Sequence, residues 1–223
     1  MTVYAPQIAW LEYNIGKKLL HSRGGFLGIV SYHSYGVRVL KHLVINWPTQ
    51  TEPNNKKNVL ADDALAILGD DAWKDEDWEK VEEHYSKLIQ FYPTSEWAEL
   101  ALFRIAMSWF KRIHGVLYNI YPMKRAEKEL ALFLSKNVKN KNLRKEAEKA
   151  LKKVQDILAE RNFRLAEYYI KVDSPVGAEL YLKEILDYYP DSKWAREARR
   201  IYPEWKKKAE EWKKAHNEGP KKN

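Results

Sequence analysis

The sequence predicts an all-α solenoid of about four to five helix pairs with one long shared helix. Two stretches that nearly repeat each other carry this prediction: YPTSEWAELA from Tyr92 and YPDSKWAREA from Tyr189. In each, the proline ends a helix because it disfavours helical geometry in the residue before it, and the serine two positions later is suited to cap the next helix. Apolar residues also recur at intervals of three and four over most of the chain, which indicates amphipathic helices.

The helices before these two corners keep the spacing of a 34-residue repeat. Counted back from Pro93, the small and large apolar positions are Leu65, Leu68, Gly69, Ala72, Val81, Tyr85 and Leu88. Counted back from Pro190, they are Leu165, Ala166, Tyr169, Ala178, Leu182 and Ile185. Small residues that let two helices approach, with large ones filling the gap to the next unit, are typical of tetratricopeptide repeats. The two counts predict the same unit independently.

Two weaker copies of the repeat precede Pro48 and Val138, and each contains an insertion. Their second-helix positions are Gly36, Leu40, Leu43, Ala126, Leu130 and Phe133. Their first helices fit the template only if about eight extra residues lie between the helices of each pair. The insertions span residues 22–34 and 114–123.

The apolar spacing places helices at 5–21, 35–46, 59–74, 78–91, 95–112, 123–137, 142–171, 175–188 and 193–215. Residues 49–58 are polar and contain Pro and Asn, so they are predicted to be a surface loop. Residues 143–172 lack Gly and Pro and predict one helix of roughly 45 Å. Pro203 predicts a kink or break in the last helix. We therefore expect a repeat domain over 1–203 and a basic, Trp-containing helix over 204–223, with residues 219–223 disordered.

Composition excludes several classes of protein. The chain of 223 residues has no cysteine, which excludes disulfides, thiolate zinc sites and cysteine nucleophiles. Its net charge of +8 is uneven, with an acidic stretch at 62–83 and a basic stretch at 111–153. The first twenty residues lack a signal-peptide pattern and no apolar run reaches ~18 residues, so the chain as given is expected to be soluble.

Motifs for catalysis, metal or cofactor binding are not recognisable, and we expect no catalytic residue, no cofactor and no metal. The six histidines form no H-x-x-x-H pair, and the glycines do not follow a phosphate-loop pattern. The carboxylates Asp70, Asp71, Asp75, Glu76 and Asp77 lack the glycine and terminal glutamate of an EF-hand and are interpreted as a solvated edge. Aromatic residues among many lysines leave single-stranded nucleic acid as an alternative ligand, although most of them occupy packing positions of the repeats.

Apolar residues in the insertions and the last helix are the candidate protein-binding positions. A solenoid does not need them for its own core, which makes them candidates for contact with another protein. They are Phe26, Leu27, Ile29 and Tyr32 in the first insertion, Leu117, Tyr118 and Tyr121 in the second, and Trp205 and Trp212 in the last helix. The alternative is that each insertion folds back on its own repeat. For the last helix, a membrane surface is a third possibility.

Several segments together resemble the BamD/YfiO-type outer-membrane assembly lipoproteins. They are LAERNFRLAEYY from Leu158, ILDYYPDS from Ile185, ADDA from Ala61 and YPTS from Tyr92. The insertion segment Phe26-Leu27-Gly28 is similar to divergent members from planctomycete-like bacteria. The resemblance covers about residues 15–200. The chain departs from the family in lacking the lipidated cysteine and in its basic, Trp-bearing C-terminal helix.

The resemblance implies a non-enzymatic tetratricopeptide scaffold of the bacterial cell envelope, facing the periplasm. Its partners would be other proteins of a large assembly, such as the β-barrel assembly machinery, held through the concave face, the two insertions and the C-terminal helix, with possible peripheral membrane contact. Two alternatives stay open: a structural subunit that tethers copies of a large enzyme complex, and a basic binder of single-stranded nucleic acid. Because no signal peptide or lipidation cysteine is present in the chain as given, an intracellular location is the alternative.

Overall fold

The computed structural model describes residues 4–22, 32–53 and 55–217. The helices are α1 (Ala5–His21), α2 (Tyr32–Asn46), α3 (Leu60–Lys74), α4 (Trp78–Phe91), α5 (Ala98–Lys111), α6 (Ile120–Ser135), α7 (Lys141–Lys171), α8 (Pro175–Tyr188) and α9 (Lys193–Asn217). Every predicted helix is present, with its ends displaced by at most three residues, and the predicted all-α fold class is confirmed. The tail over 219–223, predicted to be disordered, lies outside the described residues.

A short antiparallel hairpin occupies the segment between α2 and α3. Strands β1 (Thr51–Glu52) and β2 (Asn55–Val59) pair with Thr51 opposite Val59. The backbone N–H of Leu60 donates to the Gln50 carbonyl at 2.9 Å, which fixes the start of α3 against the hairpin. The prediction of a surface loop over 49–58 was therefore wrong in part. The polar sequence NKKN carries no apolar alternation, so the strand pairing rests on backbone hydrogen bonds that leave no signal in the pattern.

The chain divides into two compact units, one of Met1–Ser108 with Lys136–Leu143, the other of Trp109–Ser135 with Arg144–Asn223. In the first unit, α1 and α2 cross where two glycines meet. A Cβ on Gly36 would lie 2.8 Å from the Gly16 carbonyl oxygen, so only the absence of a side chain allows this crossing. In the α3–α4 pair, the ring of Tyr85 fills the space above Gly69, as the repeat spacing requires. The core around these contacts comprises Ala9, Tyr13, Leu20, Leu40, Leu43, Leu60, Ala61, Ala64 and Leu68.

The second unit is built on α6, most of α7, α8 and α9. Tyr169 lies against Gly177 and stacks on Tyr181 at 5.5 Å between ring centroids. The rings of Phe163 and Trp194 are 5.0 Å apart, which joins α7 to the start of α9. The buried side chains of this unit include Met123, Ala126, Leu130, Phe133, Val154, Leu158, Ala178, Leu182 and Ile185.

The last helix continues through its proline. α9 runs from Lys193 to Asn217 with Pro203 inside it, so the predicted break is absent. Trp205 and Ala209 beyond the proline are buried. Their burial keeps the second half of α9 helical although proline removes one backbone hydrogen bond. The division into domains after residue 203 stays a prediction.

The two corners that motivated the repeat count share one geometry. The N–H of Ser95 donates to the Tyr92 carbonyl at 3.0 Å, and the N–H of Ser192 donates to the Tyr189 carbonyl at the same distance. The Ser95 hydroxyl accepts from the Trp97 N–H at 3.1 Å, and the Ser192 hydroxyl from the Ala195 N–H at 3.2 Å. Capping of the next helix is confirmed for Ser192, which directly precedes α9, whereas Ser95 lies three residues before the start of α5 and closes the turn ahead of it.

Candidate protein-binding surfaces

The second insertion is a loop at residues 112–119 whose two ends are fixed by local hydrogen bonds. The N–H of Tyr118 donates to the Gly115 carbonyl at 3.2 Å and closes a turn. Asn119 caps the start of α6, because its Oδ1 accepts from the Tyr121 N–H at 2.9 Å and satisfies a donor that has no partner within the helix. These hydrogen bonds give the loop a defined backbone conformation.

The base of this loop rests on Trp109, near the end of α5. Tyr121 meets the Trp109 ring edge-on, with 5.4 Å between centroids. Trp109 itself is buried, and the guanidinium groups of Arg112 and Arg125 lie 4.2 Å and 5.2 Å from its ring centroid. Aromatic and cation–π contacts of this kind are each worth about 0.5–1.5 kcal/mol. They anchor the loop to its own helix pair.

The tip of the loop is exposed. Leu117 and Tyr118 retain 65% and 72% of their accessible surface, and Tyr121, on the first turn of α6, retains 55%; we refer to these three residues as the loop patch. The alternative that the insertion folds back on its own repeat accounts for the contact of Tyr121 with Trp109. It does not account for Leu117 and Tyr118, which face solvent.

The other predicted contact residues are distributed differently. Phe26, Leu27 and Ile29 lie outside the described residues. Tyr32 stands at the start of α2 and is exposed.

In the last helix, the two tryptophans differ. Trp205 keeps only 7% of its surface, with the Lys208 ammonium 4.3 Å from its ring centroid. Trp212 keeps 45% and stacks on His216 at 4.0 Å. Only the second of them offers a surface to a partner.

An exposed apolar stripe on α1 was missed by the sequence reasoning. Tyr4, Ile8, Leu11 and Ile15 follow one another at intervals of four, three and four residues, and all are exposed. The same spacing is the signal of a buried helix face, so the pattern alone does not distinguish an exposed stripe from the core of a repeat. Whether such a stripe is buried depends on which face the next helix covers, and this is decided by the glycine crossing at Gly16.

A second missed feature is an apolar groove of about 430 Å³ where α2 and α4 end. The groove is lined by Val44, Ile45, Pro48, Phe91 and Tyr92. Ile45 and Phe91 are exposed. The Tyr92 hydroxyl donates to the Pro48 carbonyl at 2.8 Å, so the groove connects two successive corners of the first unit.

The buried carboxylates at the start of α3 have a structural role. Trp97 donates from Nε1 to Asp63 at 2.7 Å, and Asp62 accepts from the side chain of Ser95. Burial raises the pKa of Asp62, and burial with the nearby Asp63 raises the pKa of the Tyr13 hydroxyl to about 12. These groups bind α3 to the following corner, because each carboxylate accepts hydrogen bonds from it.

Glu99 takes the corresponding place on α5. Its two carboxylate oxygens accept from the backbone N–H groups of Lys139 and Asn140, each at 2.8 Å. The corner at Val138, where the sequence lacks the expected proline, is therefore held by a charged acceptor on two main-chain donors. On both α3 and α5, an acidic residue near the start of the helix accepts hydrogen bonds from the following corner and so joins one repeat to the next.

Comparison with known proteins supports the resemblance seen in the sequence. The family described as YfiO, outer membrane lipoprotein, matches residues 62–219. A search of curated proteins gives no match. The match covers more than half of the chain, and the chain belongs to this family. Within the described residues, no helix is long and apolar enough to cross a membrane.

Proposed function

We propose that this member of the outer membrane lipoprotein family is a non-enzymatic scaffold that holds another protein within an assembly of the cell envelope. Family membership supports the envelope association and a role in outer-membrane assembly. The helix pairs supply rigid elements, and the loop patch supplies an exposed apolar contact on them.

The observation that carries the proposal is the combination of a fixed base and an exposed tip in the 112–119 loop. Tyr121 is held by Trp109, whereas Leu117 and Tyr118 retain about two thirds or more of their surface. A pre-ordered apolar loop binds a partner at a lower entropic cost than a flexible one, since its backbone already has a defined conformation. Tyrosine is also among the residues enriched at the energetic centres of interfaces.

The proposal is tested by capture of partners from native membranes and from soluble extract. The double variant Leu117→Ser/Tyr118→Ser should lose most of the captured envelope protein while its stability changes by no more than about 0.5 kcal/mol, because both residues are exposed. A matched control is Tyr168→Ser/Leu180→Ser, which alters two exposed residues of the same types in the same unit. Equal capture by both double variants would remove the loop patch from the proposed interface.

The same capture separates the scaffold from the tethering alternative. Enrichment of outer-membrane assembly proteins supports the envelope role, whereas enrichment of a soluble oligomeric enzyme supports a tethering subunit.

Binding to single-stranded nucleic acid is tested by titration with RNA at low salt, since phosphate contacts cause a steep loss of affinity as salt rises. Several cations in the basic stretch already have acidic partners: Lys124 with Glu127, Arg125 with Glu129 and Arg144 with Glu148. These ion pairs reduce the positive charge that the basic stretch can offer to phosphates. We therefore favour the protein scaffold over a nucleic-acid binder.

A further inference from the structure

His33 and two aspartates meet where the start of α2 approaches the end of α3. The His33 Nε2 lies 2.9 Å from each carboxylate oxygen of Asp71. Asp75, four residues later, adds a second carboxylate, and one ligand atom from each of the three side chains lies within 4.8 Å of the others. The histidine is 38 or more residues away from the aspartates in the sequence, so a local sequence motif could not predict this cluster.

We propose that His33, Asp71 and Asp75 bind one divalent first-row transition-metal ion, at a site that shares no residue with the loop patch. In such sites nitrogen and oxygen ligands lie about 2.0–2.2 Å from the ion, which places neighbouring ligand atoms roughly 2.9–3.4 Å apart. The separation of His33 and Asp71 already has this value. Asp75 is exposed at the end of α3, where a rotation of its side chain can bring it to the same distance.

The donor set selects the class of metal. Imidazole nitrogen is a ligand for zinc, copper, nickel and iron, whereas calcium takes six to eight oxygens. One nitrogen and two carboxylates therefore favour Zn²⁺ or a similar ion, with water completing the coordination. The open side is available for that water, because the His33 side chain is partly exposed.

Charge gives a second, independent argument. A neutral imidazole can donate one hydrogen from Nε2 to Asp71, whereas Asp75 beside it interacts electrostatically with the exposed Lys80. Two carboxylates at such short range repel each other, and a divalent cation neutralises both at once. His42 offers a comparison, because its Nδ1 lies 3.0 Å from Glu12 in a similar pair for which the described residues supply no third ligand.

The test is calorimetric titration of the full chain with Zn²⁺ alone, in a buffer that does not bind the metal. We expect one equivalent per chain, and affinity reduced at least roughly tenfold in His33→Gln and in Asp75→Asn, since each removes a ligand. His42→Gln should bind as the unaltered chain does. In a parallel titration with Co²⁺, the visible d–d absorption should shift in His33→Gln, which a purely structural hydrogen bond would not cause.

Three outcomes would overturn the assignment. They are no binding of Zn²⁺ up to millimolar concentration, equal affinity in Asp75→Asn and the unaltered chain, and displacement of Zn²⁺ by an equal concentration of Ca²⁺. Circular dichroism establishes that each variant is helical. Asp75 is exposed, so its variant decides the question even if His33→Gln is destabilised.

Discussion

His84 on α4 is a buried imidazole that the fold keeps neutral. It retains 3% of its surface, and burial lowers its pKa from 6.5 to about 4, with Lys41, Lys80 and Lys87 adding to the shift and Glu83 opposing it. A group whose folded-state pKa is lowered resists protonation in the native protein but not in the unfolded chain. Stability contributed by neutral His84 is therefore complete above about pH 6.5 and is lost as the pH falls toward 4.

This shift predicts a pH-dependent loss of stability. Between pH 7 and pH 5 the linkage for this one residue amounts to about 2 kcal/mol, because one pKa unit corresponds to about 1.4 kcal/mol. In His84→Leu, which fills a similar volume and does not titrate, urea unfolding should show a pH dependence weaker by that amount. Replacement of the exposed His216 by Gln is the control and should leave the dependence unchanged. Parallel pH profiles for His84→Leu and the unaltered chain would contradict the prediction.

At this scale the sequence predicted residue types better than residue partners. Asp62 and Asp63 were recognised as part of an acidic stretch and of the ADDA segment, but without partners; both are buried and bound to the next corner through Ser95 and Trp97. Their partners are more than thirty positions away and become neighbours only when successive repeats pack. The meeting of His33 with Asp71 has the same cause.

Among the elements, the crossing of α1 and α2 depends on the absence of a side chain at Gly36. On helix propensity alone, Gly36→Ala should stabilise α2 by about 1 kcal/mol. The added Cβ, however, would lie 2.5 Å from the Leu20 backbone nitrogen, which cannot move without shifting α1. Overpacking of this kind costs about 1–3 kcal/mol, and more when backbone rather than a side chain must move.

We therefore expect Gly36→Ala to lower the free energy of unfolding by about 2 kcal/mol, measured by urea denaturation with circular dichroism. Gly115→Ala is the matched control, since its Cβ would lie 3.1 Å from Cδ2 of Tyr118, an exposed side chain that is free to rotate. Its effect should stay within about 0.5 kcal/mol. An unchanged stability for Gly36→Ala would show that the helices can separate without loss.

Helices and corners were predictable from local patterns, whereas the strands and the continuity of α9 were not. Period-three and period-four spacing, with a Pro and a Ser at the corners after Tyr92 and Tyr189, placed the helix ends within three residues. The β1–β2 hairpin has no matching alternation of side chains. At Pro203 the local rule gave a kink or a break, and the helix is unbroken because burial of Trp205 and Ala209 offsets the cost of the proline, which is about 3 kcal/mol.

Across the whole molecule, the question is how far the repeat array depends on its last helix. The proposed boundary after residue 203 separates the repeats from a basic helix. Yet Trp205 and Ala209 are buried in the second unit, and Lys213 forms an ion pair with Glu179 of α8 at 3.1 Å. Residues 204–217 thus supply both apolar area and charge to the packing of α8.

Truncation after Pro203 should therefore destabilise the protein. Removal of a buried tryptophan side chain costs about 3–5 kcal/mol, and loss of Ala209 adds to it, so the midpoint of urea unfolding should fall clearly below that of the full chain. A chain ending at Trp212 keeps both buried residues and loses the exposed last turn of α9, with the contact of Trp212 with His216 and the ion pair of Lys213, which is worth about 1 kcal/mol or less at the surface. If the chain ending at Pro203 unfolds at the same urea concentration as the full chain, residues 204–217 are an appendage, and partner capture by the shorter chain then measures the contribution of the whole segment after Pro203.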